Sequence, residues 1–238
     1  MINKNKAIIV ILVLAVALVG CNNSAPTEPT PTDTNTVEIN YKFNENDEGW
    51  KGEFANVPVV TVGTEYNLKF AHEDIPVPGQ ESKGLMLQGK NINNMIFLYT
   101  YVKLNDQDKL IKNTNYKVDL SLVLASNVPS KNSEAVDNVF VKAGVVMDMP
   151  KLNAENELNK LNLDIGQKGV DSKDFKTLGN IGKLNSDDES YQYKMLESSF
   201  DVTTTDKTDL YLLVGIEINT KIEIKAYIDD VKIKLTKK

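Results

Sequence analysis

Cys21 is the only cysteine and His72 the only histidine among 238 residues. Nucleophilic chemistry through a thiol, and general-base chemistry through an imidazole, therefore have one candidate side chain each. No disulfide and no cysteine-based metal site can form. His72 shares a face with Tyr66, Leu68 and Phe70 in the alternating run 66–72, a packing position more than that of a free base. Carboxylates are plentiful, with 33 Asp and Glu, but no spacing singles out the pair that a carboxylate-based glycosidase would need. Neither G-x-G-x-x-G nor G-x-x-x-x-G-K-[ST] occurs, so no phosphate cradle is encoded. The clearest chemical pattern is aromatic. In Met95-Ile96-Phe97-Leu98-Tyr99-Thr100-Tyr101-Val102 a strand puts Phe97, Tyr99 and Tyr101 on one face and Ile96, Leu98 and Val102 on the other. Such a row can stack on a flat ligand face or pack inside a strand buried on both sides. Tyr191 and Tyr193 form a second same-face pair, with Gln192 and Lys194 opposite, and the same two readings apply.

These side chains need a scaffold, and the pattern that supplies it has period 2. Val37, Ile39, Tyr41 and Phe43 alternate with Glu38, Asn40 and Lys42, and similar runs recur at 66–72, 85–88, 95–104, 116–125, 139–147, 191–202, 210–218 and 222–235. Many short strands separated by Gly, Asn, Asp and Pro clusters predict an all-β, antiparallel sandwich over 37–238. A loop-rich insertion with scattered leucines, around 148–190, has room for one short helix. Trp50, next to Gly49 at the end of a polar loop, reads as core.

The N-terminus has a different grammar. Lys4 and Lys6 precede an uncharged apolar run at 7–19, too short for a span that needs about 20 residues but suited to a secretory leader. From 21 to 36 the chain is rich in Pro, Thr and Asn without a large apolar residue, which predicts a disordered tether. Removal of 1–20 takes away Lys4 and Lys6 and moves the formal charge from −6 to −8. All basic residues are lysine. An acidic chain without a basic patch excludes nucleic acid as the expected partner.

Two resemblances follow from these segments. Leu18-Val19-Gly20-Cys21 resembles the lipobox of bacterial lipoproteins, in which the cysteine becomes a diacylated (palmitate-type) N-terminus after cleavage. That implies residues 1–20 as signal peptide, Cys21 as lipid anchor and an extracytoplasmic, membrane-bound protein. Asn46-Asp47-Glu48-Gly49-Trp50, Asn113-Thr114-Asn115-Tyr116-Lys117-Val118 and Ala226-Tyr227-Ile228-Asp229-Asp230-Val231 resemble the start, middle and end of jelly-roll, galactose-binding-like carbohydrate-binding modules. The chain also resembles secreted bacterial lipoproteins without an assigned activity. The module resemblance implies a non-catalytic binding domain, with a glycan stacked on Phe97, Tyr99 and Tyr101 or on Tyr191 and Tyr193. The alternative is an envelope protein that binds a protein partner and has no sugar site. It also implies one cofactor, a structural calcium between the first loop and the last strand, on Glu45, Asp47 and Asp229, with Asp230 as the substitute. Cys21→Ala is expected to abolish metabolic palmitate labelling and move the protein out of the membrane fraction without altering its fold; unchanged labelling and fractionation would refute the anchor.

Overall fold

The computed structural model describes residues 35–60, 65–93, 95–104 and 109–238. Cys21, the 1–20 leader and the tether up to residue 34 lie outside the described residues. In chain order the strands are β1 (Thr36–Lys42), β2 (Lys51–Ala55), β3 (Val57–Pro58), β4 (Lys69–Asp74), β5 (Lys83–Lys90) and β6 (Ile96–Lys103). Then come β7 (Asn115–Ser126), the short helix α1 (Ser133–Val136), β8 (Val139–Val146), β9 (Leu152–Glu155) and β10 (Leu158–Leu161). The chain ends with β11 (Lys176–Asn180), β12 (Gln192–Thr203), β13 (Tyr211–Ile218) and β14 (Glu223–Lys237).

Two antiparallel sheets form a jelly-roll sandwich. One has the order β12-β7-β14-β5-β4, with β1 also on β14; the other runs β11-β8-β13-β6-β2. From β5 to β8, and again from β12 to β14, successive strands alternate between the sheets. The alternation in sequence explains the packing. In β1 Val37, Ile39 and Tyr41 turn inward while Glu38, Asn40 and Lys42 turn out, and β7 does the same with Tyr116, Val118, Leu120, Leu122 and Leu124. These side chains meet Leu98, Val141, Leu212, Val214 and Ile216 from the other sheet in one apolar core. Trp50 closes one part of it, edge-on to Tyr41 and Phe43.

β6 breaks the in–out rule: all but its last residue are buried. The cause is the insertion. Segment 148–175 crosses the outer face of the five-stranded sheet as a strap and lays Leu161, Leu163, Ile165 and Phe175 on Phe97, Tyr99, Tyr101 and Leu213. Segment 148–190 is built from strands and turns, not the short helix its leucines suggest. Asn156 and Glu157 both adopt left-handed φ (49° and 65°), the signature of a tight two-residue hairpin turn between β9 and β10. Leu161, Leu163 and Ile165 then follow at period 2 and point at the sheet.

A buried ion pair fastens the strap. Lys142 of β8 and Glu217 of β13 meet at 2.9 Å with both side chains fully buried. Lys142 Nζ also donates to the carbonyls of Ile165 (2.7 Å) and Val170 (3.0 Å). The Glu217 carboxylate accepts from the backbone N–H of Lys168 (2.5 Å) and Gly169 (3.1 Å). Gly169 has φ +69°, and a Cβ there would lie 2.6 Å from the Phe140 ring, so this turn requires glycine. On β12 of the other sheet, buried Lys194 donates to the carbonyls of Asn180 and Gly182.

Glu217→Ala leaves the Lys142 ammonium buried without its counter-charge and is expected to cost about 3–5 kcal/mol in urea unfolding. Trypsin should then cut the strap at Lys168 or Lys173 before the rest of the domain. A loss below about 1 kcal/mol, on the scale of an exposed pair, with no new cleavage, would show that the pair does not hold the strap.

Candidate functional site

The two faces of the sandwich differ in access. On the five-stranded sheet the outward residues form cross-strand rows: Lys51, Tyr101, Leu213 and Gly144; then Glu53, Tyr99, Gly215 and Lys142; then Ala55, Phe97, Glu217 and Phe140. Phe97 and Tyr99 stack at 5.6 Å with 14° between their planes, and Phe175 of the strap meets Phe97 edge-on at 5.3 Å. Phe97 and Tyr99 are 0% exposed and Tyr101 7%. Burial pushes the Tyr99 and Tyr101 hydroxyls above their ordinary pKa. Of the two readings of this stripe, the structure takes the buried one, because the strap occupies the space a ligand would need. Phe97, Tyr99 and Tyr101 form a second core, not an open platform.

On the six-stranded sheet the outer face is open along β1, β14, β7 and β12 where the polar rows lie, and is covered at one end, where Met86, Ala125 and Tyr227 are buried beneath Ile75, Val77, Tyr191 and Tyr193. Register places Ala71, Met86, Tyr227, Ala125 and Tyr193 in one row across five strands. Tyr191, immediately before β12, is half-buried, edge-on to Tyr227 at 5.4 Å and donates to the Lys225 carbonyl at 3.2 Å. Burial pushes its hydroxyl pKa up to about 12. Tyr193, also half-buried, pairs its hydroxyl with that of Ser82 at 2.5 Å. Both tyrosines rest on the apolar cluster of Ile75, Met86 and Tyr227 while solvent still reaches them.

Further along β12 the outward positions are Met195, Glu197 and Ser199, and Met195 is 61% exposed. There the sheet face hollows into a trough of about 510 Å³. Two cross-strand rows make its floor: Glu38, Lys234, Asp119 and Ser199, and beside it Asn40, Lys232, Ser121 and Glu197. Glu38 pairs with Lys234 at 3.1 Å. Asp119 pairs with Lys117 at 2.7 Å and accepts from Ser199 at 2.5 Å. Hydrogen bonds from Lys117 and then Ser199 hold the Asp119 carboxyl below the ordinary carboxylate range. The sequence signal for this trough was present, as the polar half of each alternation (Glu38 and Asn40, Asp119 and Ser121, Lys232 and Lys234). It is indistinguishable there from any solvated strand face.

The expected calcium ligands are not brought together. Among the described residues no group of three or more His, Cys, Asp or Glu is placed to hold a metal ion. Asp47 caps its own turn, accepting from Gly49 N–H at 3.0 Å and, through its carbonyl, from Trp50 N–H at 2.9 Å. Glu45 is exposed beside that turn. Asp229 sits instead in an irregularity of β14 between Ile228 and Val231, with Asp230 and Tyr193 as its electrostatic neighbours. His72 is a tie, its Nε2 donating to the Phe43 carbonyl at 2.5 Å.

No family model and no curated protein matches the chain. Solved structures do match. The C-terminal family 22 carbohydrate-binding module of Clostridium thermocellum Xyn10B aligns over 87% of this chain and 97% of its own, at 12% identity and a TM-score of 0.41. The mannan-recognising module TmCBM27 aligns over 84% and 97%, at 11% identity and 0.41. The K1 cleaved adhesin domain of Lys-gingipain from Porphyromonas gingivalis W83 aligns over 83% and 97%, at 9% identity and 0.39.

Asp229 yields a pH signature. Burial, then the adjacent Asp230, raises its pKa. The folded domain therefore holds that proton more tightly than the unfolded chain, and the group costs stability as pH rises from its ordinary value through the raised one. Asp229→Asn is expected to raise the melting temperature at pH 7 and flatten this loss between pH 4 and 7. A variant less stable than the parent at pH 7 would refute the assignment.

Proposed function

We propose that this chain is a non-catalytic glycan-binding module, carried on the outer side of a bacterial membrane by the lipidated Cys21, and that it binds with the open face of its six-stranded sheet. The observation that carries this reading is the continuity of that face. Tyr191 and Tyr193 supply half-exposed aromatic surface at one end, Met195 follows, and the polar trough begins two residues later. A sugar ring offers apolar C–H faces and a rim of hydroxyls, and such a ligand needs both kinds of surface side by side. From Tyr191 to Ser199 the strand spans about 26 Å at roughly 3.3 Å per residue, which is room for several rings and not just a chain end.

The trough's chemistry favours binding over hydrolysis. A glycosidase needs a carboxylic acid with a raised pKa facing a second carboxylate. In the trough Glu38 is paired with Lys234 and Asp119 is shifted the opposite way from a general acid. That leaves Glu197 as the one floor carboxylate without an ion pair among the described residues, and one carboxylate is not the acid–base pair hydrolysis needs. A protein-docking reading would call for a contiguous apolar patch. Apart from the neighbours Val59 and Val60, the exposed large apolar side chains among the described residues instead come singly from separate segments of the chain: Ile111, Met149, Val170, Leu184 and Met195.

Tyr191→Ala and Tyr193→Ala are each expected to weaken polysaccharide binding by about 0.5–1.5 kcal/mol, roughly twofold to twelvefold. Tyr101→Phe, under the strap, should leave it unchanged. Glycan-array screening followed by calorimetry on the soluble domain tests this. Binding insensitive to both tyrosine substitutions on the open face would overturn the site.

A further inference from the structure

We infer that the open face is built for an uncharged glycan, a reading that rests on the assignment of that face as the binding surface. The trough carries five charged side chains on its floor, but most are already matched. Glu38 holds Lys234, and Asp119 holds Lys117 from the same strand and takes the Ser199 hydroxyl as well. One row remains uncommitted. In Asn40, Lys232, Ser121 and Glu197 neither Lys232 nor Glu197 has an ion-pair partner among the described residues, and both are exposed. They stand on strands two apart, at opposite sides of Ser121, about 9–10 Å from each other by the usual strand spacing.

That row reads as a hydroxyl binder. Lys232 only donates, Glu197 only accepts, and Asn40 and Ser121 do both. A neutral sugar hydroxyl also does both, so a polyol laid across the row can satisfy every group in turn. An acidic glycan cannot. Its carboxylates or sulfates would gain Lys232 but lie against Glu197, Asp119 and Glu38 on the same floor. The chain has no arginine to clamp an anion in bidentate fashion, and its net charge of −6 repels polyanions at long range. The matched pairs keep the trough polar without giving it a field of one sign.

The test is affinity electrophoresis and calorimetry of the soluble domain with neutral polysaccharides (xylan, galactomannan, mixed-linkage β-glucan) and acidic ones (polygalacturonate, alginate), at low and high salt. At least one neutral polymer is expected to bind, with affinity changing less than twofold between 50 and 500 mM NaCl. Glu197→Gln and Lys232→Met should each weaken it threefold or more, since each removes a charge-assisted hydrogen bond. Both positions are exposed, so folding is checked by an unchanged melting curve. Binding confined to the acidic polymers, weakened by salt and tightened by Glu197→Gln, would overturn the inference while leaving the face as the binding surface. No retardation by any polymer of either kind would overturn the assignment of the face itself, and this inference with it.

Discussion

The arrangement of this protein depends on the ion pair between Lys142 and Glu217. Two charges on the outer face of the five-stranded sheet would ordinarily stand in water. Here both are fully buried, because the turn at residues 165–170 completes their hydrogen bonding. Desolvating the two ions costs several kcal/mol each, a cost their attraction offsets only when the remaining lone pairs and protons also find partners. The strap backbone provides those partners, and in turn gains the donors and acceptors its own turn lacks. Neither side is satisfied without the other. A pair of this kind specifies one placement of the strap far more sharply than apolar contact could, since a shift by one residue would strand four polar groups.

Once placed, the strap decides which surface of the sandwich faces solvent. It converts Phe97, Tyr99 and Tyr101 from a ribbon of rings into a second core with Leu161, Leu163, Ile165 and Phe175. Close packing leaves its mark in the glycines below: a Cβ on Gly144 would sit 2.0 Å from the Asp174 carbonyl, and one on Gly215 would sit 2.3 Å from the Phe97 ring. With that side filled, the outer face of the six-stranded sheet is left as the long open surface. Its charges are of both signs, Glu38 paired across strands with Lys234 and Asp119 with Lys117 of its own strand, which stabilises the sheet modestly and leaves no field of one sign. A surface so neutralised suits a ligand recognised by shape and hydroxyl geometry more than one drawn in by charge.

The chain itself determined the class of fold, because nine alternating runs each demand a strand with one apolar side, and antiparallel sheets packed face to face satisfy them together. It also determined that thiol and imidazole chemistry would be scarce, by holding one cysteine and one histidine. The inward side chains were legible one by one, from Val37 to Leu235. Strands β2, β3 and β9 to β11 were not, since they are short and lack a run of apolar alternation, and β9 and β10 are joined by a turn of two left-handed residues. Tertiary structure alone decided between the two tyrosine-bearing strands. Phe97-Leu98-Tyr99-Thr100-Tyr101 and Tyr191-Gln192-Tyr193 carry the same local pattern, and period 2 states only that their rings share a side. What lies against that side is set by a segment more than 45 residues away from Phe97 and by an ion pair between residues 142 and 217. Contacts of such sequence separation leave no local trace, so the covered row and the open row look alike until the chain is folded.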